Sequence, residues 1–87
     1  MDDRPRRADH LRMRDLGDEV LFYDEDGRRI HVLNGAARHL WTRLDGRRTI
    51  EQLIENLVAE YEVSTDRARE DVHAFIERLD SLGLIRR

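Results

Sequence analysis

The hydrophobic pattern of this chain changes its period at one point, between Leu33 and Asn34. Before that point, apolar residues alternate with polar ones or form short runs rich in β-branched and aromatic residues, as strands do. After it, apolar residues recur every three or four positions, as on one face of a helix. Strands followed by helices, without alternation between them, predict an α+β domain with an N-terminal antiparallel sheet.

Three strands are predicted before the change of period. Residues 11–16 alternate apolar and polar, the apolar run VLFY lies at 20–23, and 28–33 follows as the last strand of a meander. Tight turns are predicted at Gly17-Asp18 and Asp26-Gly27. Because residues 20–23 are apolar on both faces, we expect this strand to be central, with helices covering one side.

Three helices are predicted after the change of period. Asn34 is expected to cap the first helix through its side chain, because its oxygen can accept a hydrogen bond from the next turn. Thr49 and Gln52 have the spacing of a capping box for the second, and Ser64 or Thr65 caps the third. The predicted buried stripes are Ala36, Ala37, Leu40, Trp41 and Leu44; Ile50, Leu53, Ile54, Leu57, Val58 and Tyr61; and Ala68, Val72, Phe75, Ile76, Leu79 and Leu82.

The two ends of the chain are predicted to behave differently. Residues 1–10 are charged, contain no apolar run and include Pro5, so a disordered arm is predicted there. Leu84-Ile85 is expected to fold back as an apolar tail. A single domain is then predicted over 11–87, winged-helix-like, with an N-terminal three-stranded antiparallel sheet followed by a three-helix bundle.

Residue types exclude several function classes. The chain has no Cys, and none of its four histidines lies three or four residues from another, so neither a metal site nor a cofactor is predicted. Ser64 and Ser81 have no nearby His, and the chain has no Gly-rich phosphate loop, so we expect no enzyme. The absence of Cys is typical of a reducing compartment, and the longest apolar run is far too short for a bilayer. A cytoplasmic location without membrane contact is expected.

Charge bears on nucleic-acid binding. The alternative function is that of a winged-helix DNA-binding regulator, which would present a basic face on its third helix. The formal net charge is −3, which is a poor match to a phosphate backbone. The exposed side of the predicted third helix mixes three arginines with four carboxylates: Arg67, Arg69, Arg78, Glu70, Asp71, Glu77 and Asp80. This mixture disfavours nucleic acid as a partner.

The third strand, 28–33, is an edge strand. Unless the N-terminal arm or the C-terminal tail pairs with it, a row of backbone N–H and C=O groups stays unpaired. Such an edge can accept an extended peptide as a further strand, and Arg28 and Arg29 would then meet acidic residues of that peptide. A structural module that forms a weak homodimer would use the same edge, so monomer and homodimer both stay open.

The segment from Gly17 to Ile85 resembles the PqqD-like family, the peptide-recognition elements of ribosomally made, modified peptides. The pieces that carry the resemblance are the Leu33-Asn34 junction, Ala37 with Trp41, Asp45-Gly46 before Thr49-Ile50, Tyr61, EDV at 70–72, and Leu82-Gly83-Leu84. The resemblance implies a stand-alone peptide chaperone that binds the leader segment of a precursor peptide by strand addition. It would present the leader to a modifying enzyme and catalyse nothing itself. LDGRRTI at 44–50 favours partnership with a radical S-adenosylmethionine enzyme over a lasso-type leader peptidase.

The resemblance also implies where the leader lies, between the third strand and the third helix. Carried onto this sequence, the peptide-binding residues are Arg28, Arg29, Ile30, His31, Val32 and Leu33 on the strand, with Arg69, Val72, His73, Ile76 and Leu79 on the helix. Because a filled groove cannot also hold the enzyme, a separate docking surface is expected on the polar side of the first two helices. Its residues would be Arg38, Arg43, Arg47, Arg48, Glu51 and Glu55.

Overall fold

The structure, a computed structural model, describes residues 3–24 and 28–87. Its elements in chain order are β1 (Arg6–Arg7), β2 (Leu11–Asp15), β3 (Glu19–Asp24), β4 (Arg29–Asn34), α1 (Gly35–Thr42), α2 (Ile50–Tyr61), α3 (Thr65–Ser81) and β5 (Ile85–Arg86). β2, β3 and β4 form an antiparallel sheet with β3 at its centre. The predicted α+β order, a three-stranded sheet followed by three helices, is confirmed. The turn predicted at Asp26-Gly27 lies outside the described residues.

An aromatic stack joins the sheet to the helices. The ring of Phe22 lies between those of Trp41 and His31, with ring centroids 4.3 Å and 4.8 Å away. The indole N–H of Trp41 donates to the sulfur of Met13 at 3.0 Å. These contacts connect α1 to all three strands of the sheet, so Trp41 lies at the centre of the core.

The passage from β4 into α1 takes no loop, and the reason differs from the prediction. Asn34 occupies the position before the helix in an extended conformation, but its side chain makes no capping hydrogen bond. The turn from strand to helix is made at Gly35, whose φ of +54° is a left-handed conformation that glycine adopts without steric strain. Asn34 is therefore the N-cap residue, as predicted, but its predicted side-chain hydrogen bond is absent, and the junction depends on Gly35.

The caps predicted for the other two helices are confirmed. The N–H of Gln52 donates to Thr49 Oγ1 at 3.1 Å, and the N–H of Thr49 donates to Gln52 Oε1 at 2.9 Å. The N–H of Arg67 donates to Ser64 Oγ at 3.2 Å. The buried core of the three helices is formed by Leu40, Trp41, Leu44, Leu53, Ile54, Leu57, Ala68, Val72, Ile76 and Leu79. Three predicted members, Ala36, Tyr61 and Leu82, are exposed instead.

Residues 3–10 differ from the predicted disordered arm. β1 pairs antiparallel with β5, and Pro5 and Ala8 are buried. The N–H of Arg7 donates to Leu44 O at 3.0 Å, and that of Ala8 donates to Leu84 O at 3.0 Å. The segment is held by backbone hydrogen bonds, which do not depend on side-chain type. Its charged composition therefore gave no sign of this pairing. Arm and tail pair with each other, and no strand within 3–24 or 28–87 covers the outer side of β4.

His39 is a buried histidine between α1 and α2. It is 7% exposed, and its ring meets the ring of Tyr61 edge-on at 5.5 Å. Burial, followed by the nearby Arg43 charge, lowers the pKa of His39 below its ordinary value of about 6.5. The unfolded chain therefore binds a proton more readily than the folded one.

We expect the free energy of unfolding to fall as pH drops below about 6.5, because the folded state must then either stay neutral or bury a charge at His39. His39→Gln should flatten this dependence between about pH 7 and pH 5, so wild type and variant are compared over that range. Urea unfolding at several pH values measures both. The pKa values of the Asp15 and Asp45 carboxyls are also lowered, and their contribution to the free energy of unfolding is lost only below about pH 4. An equal slope in wild type and His39→Gln would contradict the prediction.

Candidate functional site: a groove beside the open edge of the sheet

The hydrogen-bonding direction of each strand follows from one turn. The N–H of Leu16 donates to Glu19 O at 2.8 Å and closes the β2–β3 hairpin. Because bonded and non-bonded pairs alternate in an antiparallel ladder, positions 19, 21 and 23 of β3 direct their backbone groups toward β2. Val20, Phe22 and Asp24 then direct theirs toward β4.

The same alternation continues into β4. Leu33, His31 and Arg29 are the partners of Val20, Phe22 and Asp24, so their backbone groups point toward β3. The N–H and C=O groups of Ile30 and Val32 consequently point away from the sheet, along its outer edge. β4 thus offers an incoming strand hydrogen bonds at two alternate positions.

A groove with a volume of about 550 Å³ runs beside this edge. Residues 29–33 of β4 form one wall, and α3 forms the other through Phe75, Arg78, Leu79 and Leu82. The side chains of β4 alternate: Arg29, His31 and Leu33 share the inner face with Phe22, whereas Ile30 and Val32 lie on the outer face, 67% and 52% exposed. A strand added here would also send alternate side chains into the groove.

The helical wall differs from the one that the resemblance implied. Val72 and Ile76 are fully buried in the core, and of the five helical residues only Leu79 lines the groove. With about 100° of rotation per residue, Arg69 and His73 lie roughly half a turn away from the flank of Phe75 and Leu82. Arg69 pairs instead with Glu51 on α2. Of the six strand residues, Arg28 is exposed and precedes β4, and the other five line the groove.

Seven groove-lining residues were absent from the predicted site: Phe22, Ala37, Phe75, Arg78, Ser81, Leu82 and Leu84. Sequence reasoning placed Phe75 and Leu82 in the buried stripe of α3. In the structure Phe75 is half-buried and Leu82 is 37% exposed. The apolar positions 68, 72, 75, 76, 79 and 82 span about 120° of the helix, the ordinary width of a core-facing stripe, so periodicity did not separate the groove residues from the core.

The charge of the groove is positive. Within 3–24 and 28–87, neither Arg29 nor Arg78 has an ion-pair partner, and no carboxylate lines the groove. Asp24 lies near Arg29 at one end, but it is 6% exposed, and its Oδ1 is 3.4 Å from His10 Nε2. His31 Nε2 is buried and has no hydrogen-bond partner among the described residues.

The other arginines of α3 are neutralised by carboxylates. Arg67 Nε lies 3.4 Å from Asp71 Oδ2, and Arg69 is paired with Glu51. The pKa of Arg69 is raised by its hydrogen bond to Glu51. Arg67 and Arg69, paired in this way, attract phosphates only weakly, so these two arginines add nothing in favour of DNA binding.

The residues predicted for enzyme docking lie on several elements. Arg38 of α1 reaches Asp15 of β2 at 2.7 Å, and this hydrogen bond lowers the pKa of Asp15. Arg43 Nη1 donates to His39 O at 3.0 Å, while Arg48 pairs with Asp45 and Glu51 with Arg69. Arg47 and Glu55 are the two exposed members for which the structure gives no ion pair in its described part. Docking on this side stays a prediction.

Two further findings concern the described ranges 3–24 and 28–87. No three His, Asp or Glu side chains are grouped in a way that would hold a metal ion. No helix there combines the length and the apolar character needed to cross a membrane.

Comparisons with known proteins concern the family and the fold. Residues 19–85 match the family described as coenzyme PQQ synthesis protein D. The solved structure of TbiB1 in complex with the TbiA(beta) leader peptide is 20% identical, with a TM-score of 0.85 over 92% of this chain and 93% of that one. A lasso peptide synthetase B1 complexed with the leader peptide is also 20% identical, with a TM-score of 0.85 over 98% and 100% of the two chains. No curated protein matches the chain.

Proposed function

The chain belongs to the family of coenzyme PQQ synthesis protein D, and from that premise we propose that it binds the leader segment of a ribosomally made precursor peptide and presents it to a modifying enzyme. The observation that carries the proposal is the open edge of β4, where Ile30 and Val32 offer backbone groups beside a groove. The two similar structures, which share the fold, are themselves complexes with leader peptides.

Binding combines two kinds of contact. Backbone pairing along β4 supplies affinity that is independent of the leader sequence, and the side chains that enter the groove select among peptides. Phe75, Leu79 and Leu82 present an apolar surface to those side chains. A few such anchors dominate the free energy of binding in most peptide interfaces.

The protein acts by positioning the peptide, and chemistry belongs to the enzyme. A tethered peptide raises its own local concentration at the enzyme's active site. The partner favoured by the sequence is a radical S-adenosylmethionine enzyme, and a lasso-type leader peptidase is the second candidate. Either enzyme binds outside the groove, on the side that carries Arg47 and Glu55. Saturating leader peptide that displaced the enzyme would contradict this arrangement.

Titration of the isotope-labelled protein with a synthetic leader segment of a candidate precursor peptide tests the proposal. We expect the largest amide shifts at positions 29–34 of β4 and 75–82 of α3, because these residues line the groove or form its edge. Residues of α2 provide the internal control and should shift little. Shifts concentrated on α2, or on β2 at the other edge of the sheet, would overturn the assignment of the site.

A further inference from the structure

The groove is positively charged at a place where a bound strand would present side chains. Arg29 extends from the inner face of β4, and Arg78 faces it from α3. Neither has an ion-pair partner among the described residues. Arginines on two elements that line one groove can converge on a single anionic group.

A second observation at the same place is the unpaired polar atom of His31. The imidazole is stacked on Phe22, and its Nε2 atom is buried with no hydrogen-bond partner in residues 3–24 and 28–87. Buried polar atoms in native proteins nearly always have a partner. Because Nε2 has no exposed surface, a ligand in the groove reaches it only after the imidazole ring turns toward the groove.

Few negative groups near Arg29 and Arg78 would repel a bound anion. Asp24 is buried beside His10, and Asp80 lies within 3.6 Å of Arg87. The C-terminal carbonyls of α3 carry a partial negative charge, but Ser81 Oγ donates to Arg78 O at 2.9 Å and satisfies one of them. Arg29 and Arg78 therefore carry two positive charges against the single carboxylate of Asp24 at that end.

The two ends of the groove differ in chemistry. One end is lined by Asp24, Arg29 and His31 together with Ser81 and Leu82, the last residue of α3 and its cap. Leu33, where β4 approaches α1, marks the other end and is apolar. Alternate side chains of a bound strand enter the groove. Those at one end meet polar groove residues, and those at the other end meet apolar ones.

We propose that the leader recognised by this protein carries an Asp or Glu on its inward face opposite Arg29 and Arg78, with an apolar residue two or four positions away toward Leu33. This inference rests on the proposed function and names the class of peptide: acidic, apolar and extended. Charge-assisted hydrogen bonds to the carboxylate make it a specificity determinant, and replacing it with the neutral amide should lower affinity about tenfold.

Selection from a displayed library of random twelve-residue peptides tests the inference, with the wild-type protein as target and Val32→Pro as counter-target. Peptides that bind by strand addition are enriched on the first and lost on the second. Among them we expect Asp or Glu at one position and apolar residues at the same parity. The double variant Arg29→Glu/Arg78→Glu should enrich Lys or Arg at that position. The matched control Arg14→Glu/Arg67→Glu, which changes charge equally at exposed positions outside the groove, should keep the acidic preference.

The outcomes separate this inference from the proposed function. Peptides enriched over the counter-target but without an acidic position would overturn the inference and leave strand addition standing. No enrichment over the counter-target would overturn the proposed function itself. Should the double variant fail to fold, the affinities of one selected peptide and of its Asp→Asn form for the wild-type protein decide the question, and equal affinities reject the inference.

Discussion

Val32→Pro is expected to weaken leader binding by about 10- to 100-fold while the domain stays folded. The N–H of Val32 points along the open edge of β4, so proline removes a donor that no strand of the domain uses. The pyrrolidine ring also occupies the space that an added strand needs. Residues before proline favour extended backbone, which His31 already has in β4. Calorimetric titration with the leader and thermal unfolding by circular dichroism measure the two effects.

Two matched variants make this result specific. Val32→Ala keeps the backbone donor and removes only an exposed side chain, so it should change affinity by less than about threefold. His31→Pro, one position earlier, removes a donor that points to β3 and should destabilise the domain itself. If Val32→Pro binds the leader as tightly as wild type, strand addition at this edge is excluded. If it unfolds like His31→Pro, the assignment of hydrogen-bonding direction is wrong.

Trp41→Ala is expected to lower the free energy of unfolding by about 3–5 kcal/mol, against a total of about 5–15 kcal/mol for a typical domain. Trp41 is 0% exposed and stacks on Phe22, which in turn stacks on His31 in the groove wall. Removing the indole leaves a cavity beneath the sheet and removes the hydrogen bond to the sulfur of Met13. The melting temperature should fall by about 12 °C or more.

Trp41→Phe provides the comparison. It keeps a ring that can stack on Phe22 and loses only the indole N–H and part of the volume, so its cost should be clearly smaller. Urea unfolding followed by circular dichroism measures both variants without relying on tryptophan fluorescence. Because His31 belongs to the same stack, Trp41→Ala should also weaken leader binding where the domain remains folded. A loss below about 1 kcal/mol would show that the stack is not the centre of the core.

The periodicity of the sequence by itself determined the element order and most of the core. A period of two before Leu33 and a helical period after Asn34 led directly to the α+β class, and the Thr49–Gln52 capping box was readable from spacing alone. These features are local, because capping and amphipathicity depend on residues within a few positions of one another. The same holds for β4 as the last strand of the meander.

Only the tertiary structure decided what lies next to β4. The pairing of β1 with β5 depends on backbone groups brought together from the two chain ends, and composition carries no trace of it. The flank of α3 that faces the groove depends on how the whole helix is rotated against the sheet, a rotation set by the summed packing of its buried side chains. A shift of about half a turn moved the site from Arg69 and His73 to Phe75, Arg78 and Leu82. Periodicity identifies which face of a helix is buried. Which element the residues at the border of that face contact is decided only by how the helices and the sheet pack together.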